Sequence, residues 1–413
     1  MTKKPNETQT AVLAGADTGE YDAFASMDEL CELARTAGAG VAARVIQKRP
    51  APDPATVLGE GKIEEIKGLC AAFEADLLIF DAELTASQIR NIEKIAETRV
   101  IDRTMLILDI FAGRAVSGEG KLQVELAQLK YRLPRLAGMG ASLSRQGGGI
   151  GTRGPGETRL ETDRRHIRRR IEKLSAELGE LAARRDFSRS RRKKDGVYVG
   201  AIVGYTNAGK STLLNALTGA GVPAEDKLFA TLDPVSRGVE LPDGRNLVLV
   251  DTVGLIRRLP HNLIEAFKST LEEAADSDII LCVRDVSDPE AEEKARVTSR
   301  ILAELGCAEI PCVNILNKCD AVETDFPEDK NTVKISAKNR EGFARLLEVT
   351  AANLPVSAKR MKLLLPFDKI GAAAKIRVNG KVFSEEYTAD GLKLDALVEE
   401  KLLKTFADYN LLK

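Results

Sequence analysis

Short apolar runs alternate with helical periodicity between residues 21 and 108. Residues 41–46, 77–80 and 99–101 read as strands, with a helix predicted over 85–97. That alternation predicts a small α/β domain. Residues 1 to about 20 ahead of it are polar and are read as disordered. From Lys121 the period changes. Leu122, Leu126, Leu129, Leu133 and Leu136 recur at steps of four and three, and after a Gly-rich break Ile167, Ile171, Leu174, Leu178 and Leu181 repeat the rhythm. Two such stripes predict an antiparallel helical hairpin. A third region holds nearly unbroken apolar strands at 197–203, 247–250, 279–283 and 311–316, separated by helical stretches, the pattern of a parallel sheet covered on both faces. Residues 360–413 read as a small α+β appendage, with strands at 361–365, 381–387 and 392–397. The expected organisation is a disordered start (1–20), an N-terminal α/β domain (21–120), the hairpin (121–195), a doubly covered, mostly parallel α/β domain (196–354) and the appendage (360–413).

Charge sharpens this picture. The net charge is −1, but residues 130–194 hold 19 Lys/Arg against 7 Asp/Glu, a local excess of 12 that leaves about −13 on the rest. Such asymmetry points to a polyanion met by the hairpin, with a solvated charged helix as the plainer reading. Six scattered cysteines form no CxxC pair and read as reduced thiols. Without a signal-like start or a run of about 20 apolar residues, a cytoplasmic protein is expected.

The chemistry concentrates in the third region. Gly204, Tyr205, Thr206, Asn207, Ala208, Gly209, Lys210 and Ser211 spell G-x-x-x-x-G-K-[ST] between a strand and a helix, with Thr212 following. Glycines at both ends let successive N–H groups turn toward phosphate oxygens, and the helix start adds its positive dipole end. Lys210 is assigned to the β- and γ-phosphates and Ser211 to Mg²⁺. Asp251, Thr252, Val253 and Gly254 follow a strand directly, Asp251 as a second Mg²⁺-side group and Gly254 as an amide for the γ-phosphate. Thr231, within Phe229, Ala230, Thr231, Leu232 and Asp233, is the candidate further Mg²⁺ hydroxyl on a switch loop. Lys210, Thr231 and Gly254 are thus the catalytic candidates. Asn317, Lys318 and Asp320 end another strand, and Ser336, Ala337 and Lys338 another. The Asp320 carboxylate can accept both N1–H and N2–H of guanine, whereas adenine leaves it unpaired, a contrast able to discriminate by about 10⁴-fold or more. Backbone N–H groups around Ala337 are expected to donate to guanine O6. The ordered set predicts a P-loop GTPase binding GTP and GDP.

One departure bears on rate. Leu255 follows Gly254 where many switch GTPases carry a water-orienting glutamine, which predicts slow intrinsic hydrolysis accelerated by a partner. For Asn207 two readings stand, a K⁺ ligand or an asparagine suited to an unusual loop conformation.

The chain resembles the HflX family of ribosome-associated GTPases from about residue 57 to 251 and on to 338. The resemblance rests on LGEGKIEEI (58–66), IDRTMLILDIFAGRAVSGEGKLQVELAQLKYRLPRL (101–136) and LSRQGGGIGTRGPGETRLETDRR (143–165), with GYTNAGKST, FATLDP and DTVGLI as that family's forms of the nucleotide motifs. It implies a protein that binds the large ribosomal subunit and its rRNA and, in its GTP form, splits or rescues stalled or idle ribosomes. Arg145, Arg153 and Arg159 flank the glycines of the hairpin loop and fit RNA contact, since arginine binds phosphates and stacks on bases. Gly149 to Gly154 also spells G-x-G-x-x-G, but without a preceding strand it is no dinucleotide site. The family further raises an ATP site near Gly59, Gly61 and Lys62. The alternatives are a switch that recruits a protein effector through the hairpin and an ATP-driven RNA remodeller. A monomer is expected.

Overall fold

The computed structural model describes residues 9–136, 155–194, 197–219, 228–229, 232–260, 273–323, 326–355, 358–379 and 381–411. The chain folds as two compact units, the first built from residues 1–185, 225–233 and 253–271, the second from the remainder.

The first unit holds a four-stranded parallel sheet of β1 (Gln9–Asp17), β2 (Ala39–Lys48), β3 (Leu77–Phe80) and β4 (Arg99–Asp102), ordered β2-β1-β3-β4. The expected disordered start is corrected here, because residues 9–17 form a central strand hydrogen-bonded on both sides. Ala11, Val12, Leu13 and Ala14 are fully buried. Alanine and glycine carry little of the strand's apolar signal, yet they let helices pack closely on both faces. Those helices are α1 (Ala23–Thr36), α2 (Glu60–Ala72), α3 (Ala86–Ala96) and α4 (Arg103–Arg114). The predicted helix over 85–97 is α3 with its caps: Thr85 and Gln88 form a capping box, and Glu97 closes the end at a left-handed φ of 53°. Asp102, wholly buried, caps α4 by accepting from the Met105 amide and also accepts from the Leu84 amide and the Tyr131 hydroxyl. Burial and the adjacent Asp102 carboxylate hold the Tyr131 phenol far above its ordinary range.

Two long helices follow, α5 (Gly118–Leu136) and α6 (Pro155–Lys194). At 1.5 Å per residue, the 40 residues of α6 run about 60 Å. Glu125 meets Arg170 in a bidentate pair at 2.7 Å while the earlier Glu119 meets the later Arg185, so the helices are antiparallel as the stripes predicted. On α6 the predicted stripe faces inward, with Leu174 fully buried. On α5 the leucine stripe is mostly half-buried, and the fully covered face is Gly120, Gln123, Val124, Leu126, Ala127 and Tyr131. The helix packs against α4 and α3, a second demand that rotates its buried face away from the coiled-coil seam. Residues 137–154, including Arg145 and Arg153, lie outside the described residues, as does the side chain of Arg159.

The second unit contains a six-stranded sheet, ordered β10-β9-β8-β5-β7-β6, from β5 (Tyr198–Gly204), β6 (Val235–Glu240), β7 (Asn246–Asp251), β8 (Ile279–Asp285), β9 (Cys312–Asn317) and β10 (Thr332–Lys334). All pairings are parallel except β6 with β7. Helices α7 (Lys210–Thr218), α8 (Ala291–Glu304) and α9 (Phe343–Asn353) belong to it, and Ile202, Leu213, Leu214, Leu281, Val313 and Leu346 are core residues. The appendage is an antiparallel sheet, β11 (Ala358–Leu365), β12 (Lys381–Thr388) and β13 (Gly391–Glu399) in the order β11-β13-β12, with α10 (Ala373–Asn379) and α11 (Glu400–Phe406). Among the described residues, no helix is long and apolar enough to cross a membrane.

The central place of β1 is directly testable. A chain lacking residues 1–17 should lose the N-terminal fold, because β2 and β3 then have no common neighbour. Limited proteolysis would read this as rapid cutting within residues 18–136, and a protease pattern unchanged from the full chain would refute it.

Candidate functional site

In a parallel sheet the carboxyl ends of the strands share one edge, and ligands of open α/β folds collect there. In the second unit that edge carries the loop after β5, Asp251 ending β7, Asn317 ending β9 and the Ser336 loop after β10. The β5 loop needs its glycines for space. A Cβ on Gly204 would sit 2.4 Å from the Val283 carbonyl oxygen, and one on Gly209, which has φ +93°, would sit 2.3 Å from Asn317 Nδ2. Asn207 takes a left-handed φ of 62°, which asparagine tolerates better than most residues. That conformation accounts for the asparagine without a K⁺ ion.

Lys210, the first residue of α7, is buried and donates to the carbonyl oxygens of Gly204 at 3.2 Å and Tyr205 at 2.9 Å. Burial pushes its ammonium down to about 8, against the upward pull of Asp251. Next to it, Ser211 Oγ donates to Asp251 Oδ2 at 2.7 Å, and Asp251 has no exposed surface. A hydroxyl beside one carboxylate is a hard-oxygen donor set of the kind Mg²⁺ shares with phosphate oxygens. Accordingly, among the described residues no cluster of three or more His, Cys, Asp or Glu forms an all-protein cage. Among the described residues the buried Thr206 hydroxyl has no hydrogen-bond partner, a donor that a phosphate oxygen could use. By contrast, the Thr252 hydroxyl is spent on the Ile202 carbonyl at 2.8 Å, so its role is to tie β7 to β5.

The base-side motifs are joined by one amide. Asn317, buried, donates from Nδ2 to the Ala208 carbonyl at 2.8 Å and accepts at Oδ1 from the Ala337 amide at 3.0 Å. This refines the sequence reading, because the Ala337 N–H is already engaged and the next amide, that of Lys338, becomes the candidate for guanine O6. Ser336 Oγ accepts from the Asn339 amide at 3.1 Å and shapes the same turn. Lys318 takes a left-handed φ of 65° and pairs with Asp285 at 2.6 Å. Asp320 lies exposed in the short turn after β9, where its carboxylate can meet a ligand edge.

The other predicted residues belong to the first unit. Phe229 is buried with its ring edge-on to Phe111, centroids 4.6 Å apart. The sequence groups Asp233 with the nucleotide ligands, but its carboxylate accepts from the Val116 and Ser117 amides at 2.8 Å each and from the hydroxyl of Ser117, which caps the start of α5 by accepting from the Gly120 amide. Leu232 and Val253 are buried, and Ala230 and Thr231 lie outside the described residues. Leu255 is buried, an apolar side chain with nothing to offer a water. Gly59, Gly61 and Lys62 form no phosphate loop: they cap and begin α2, the Gly59 amide donates to Gln47 Oε1 at 2.8 Å, and Lys62 pairs with Glu65.

The same order of motifs recurs in known proteins. Residues 25–112 match the family described as GTP-binding GTPase N-terminal, residues 114–192 the GTP-binding GTPase middle region, and residues 199–318 the 50S ribosome-binding GTPase family. The chain is 52% identical over 373 residues to the GTPase HflX of Caldanaerobacter subterraneus subsp. tengcongensis, covering 90% of this chain and 87% of that protein. The chain belongs to the HflX family of GTPases. The HflX of Lacrimispora saccharolytica is 49% identical over 97% of this chain and 96% of its own length, and that of Escherichia coli is 44% identical over 82% of each.

Two outcomes test this HflX site. In the free protein burial disfavours the charged form of Lys210, whereas bound phosphate favours it, so binding takes up a proton once the pH exceeds about 8. GTP affinity measured by calorimetry should therefore fall as pH rises, about fourfold between pH 7 and 8.5. Affinity that is flat or rising over that span would contradict the assignment of Lys210. Separately, Asp320→Asn should move preference from guanosine toward xanthosine triphosphate, since an amide can donate to the added O2, and a variant that still prefers GTP would contradict the role of Asp320.

Proposed function

We propose that this HflX GTPase binds Mg²⁺ with GTP at the carboxyl edge of the six-stranded sheet, associates with the large ribosomal subunit in the cytoplasm, and in its GTP form splits or rescues stalled or idle ribosomes. Ser211 and Asp251 hold the metal, with Thr231 as the further hydroxyl. Lys210 neutralises the β- and γ-phosphate oxygens, and the Gly254 amide contacts the γ-phosphate. Asp320 and the Lys338 amide read guanine. Bound Mg²⁺ supplies charge neutralisation as the terminal phosphoryl group departs.

The observation that carries the ribosomal part of this reading is the division of labour along α6. Its apolar stripe faces inward, while Arg165, Arg168, Arg169, Lys173 and Arg184 are exposed and Arg170 is committed to Glu125. A helix seeking a coiled-coil protein partner would turn apolar positions outward. A basic outer face instead suits phosphate, and GTP-state association should weaken steeply with salt as counterions are released. Buried Leu255 supports a second element, namely that position 255 offers no group to orient the attacking water and the ribosome completes the site.

Turnover of GTP with and without purified large subunits tests the proposal. We expect stimulation of about tenfold or more, inside the range that a completing group can supply, and none for Lys210→Ala. Sedimentation with a non-hydrolysable GTP analogue should carry the wild-type chain into the subunit peak. A chain that stays at the top of the gradient would favour recruitment of a protein effector instead.

A further inference from the structure

The strand order β2-β1-β3-β4 of the first unit reverses direction between β1 and β3. Beyond the carboxyl ends of two such strands an open α/β sheet has a crevice between helices on opposite faces, where folds of this type hold their ligands. In this chain the crevice is acidic and already filled. Asp81, which follows β3 directly and is 2% exposed, accepts from Ser26 Oγ at 2.5 Å and from Arg103 Nη1 at 2.8 Å. Arg103 reaches on to Glu29 at 2.7 Å. The remaining oxygen positions go to Arg258, whose Nη1 donates to Asp81 Oδ2 at 3.1 Å and to the Asp81 carbonyl at 3.0 Å. Its guanidinium stacks over the Tyr21 ring at 4.0 Å, and the Tyr21 hydroxyl is anchored on the Ala16 carbonyl at the end of β1. The backbone is held as well. Arg103 Nη2 donates to the Arg257 carbonyl at 3.0 Å, and Arg258 adopts φ 49°, a conformation a non-glycine residue keeps only when its surroundings impose it.

We propose that this crevice is a guanidinium receptor whose ligand is Arg258, so that Arg258 is a positioning residue for the segment carrying Gly254. An aromatic face beside a buried carboxylate and a carbonyl suits a flat cation that stacks while one nitrogen donates to both oxygens, which arginine supplies and lysine does not. Only three residues lie between Gly254 and Arg258. A γ-phosphate drawing on the Gly254 amide therefore competes with the receptor for one short segment, and the two equilibria are linked.

This inference rests on the GTP reading above, and the test separates the two. The quantity measured is the ratio of affinities for a non-hydrolysable GTP analogue and for GDP, on the full chain. If the wild-type chain binds neither, the nucleotide reading fails and not the receptor. Given binding, Arg258→Ala should raise the analogue-to-GDP preference about fivefold or more. Arg258→Lys, keeping the charge but losing the planar group that stacks on Tyr21, should recover only part of the wild-type ratio. On an Asp81→Asn background, Arg258→Ala should add little, because both changes break one contact. If Asp81→Asn does not fold, the two Arg258 variants decide alone. A ratio unmoved or lowered by Arg258→Ala, full recovery by lysine, or additive effects in the double variant would each overturn the receptor.

Discussion

The nucleotide edge depends on one buried amide. Asn317 has a single donor group aimed at the β5 loop and a single acceptor aimed at the Ser336 loop, and both are engaged. Leaving either partner unpaired in the interior costs about 1–3 kcal/mol, so the phosphate-binding and base-reading loops keep one relative geometry. The close approach of Asn317 to Gly209 explains why glycine alone serves there, and the Val283 carbonyl imposes the same requirement on Gly204. Specificity and phosphate binding are thereby parts of one packed arrangement.

Much of this was legible from local pattern. The parallel strands β5, β7, β8 and β9 fall within a residue or two of their predicted places, because parallel strands covered on both faces are continuous apolar runs. The motifs at their ends were readable for the same reason, since each must follow a strand directly. What stayed hidden depends on partners distant in sequence. β1 was missed because its burial is achieved with alanine and glycine, whose small side chains give little apolar contrast. The antiparallel β6, with an exposed face, gave no apolar run. The occupied amide of Ala337 and the commitment of Asp233 to α5 belong to the same category. An aspartate beside a switch threonine looks like a ligand until the Val116 and Ser117 amides are found to claim it.

The first unit shows how charge can be buried at tolerable cost. Asp81, Arg103 and Glu29 lie almost wholly inside, and Asp102 entirely so. Isolated, any of them would face a desolvation penalty of several kcal/mol. Each is compensated by several directional partners, and these partners come from helices and loops far apart along the chain. Such a network is a poor source of raw stability compared with apolar packing, but it discriminates strongly between one arrangement and another. A displaced segment leaves a charge stranded.

That property bears on the segments that carry the proposed switch threonine and Gly254. Residues 228–233 enter the first unit through Phe229 and Asp233, and residues 253–260 enter it through Leu255, Ile256 and the two arginines that follow. Phosphate-sensing loops in GTPases must exchange between arrangements of similar free energy. In this chain both segments are tied into a hydrophobic and ionic core, one through the residues that begin α5 and the other through the filled crevice. Residues 228–233 and 253–260 thus share one core with the N-terminal sheet. Asp233 acts on α5 at one remove, since it holds Val116 and Ser117 while the Ser117 hydroxyl accepts from the Gly120 amide and caps the helix.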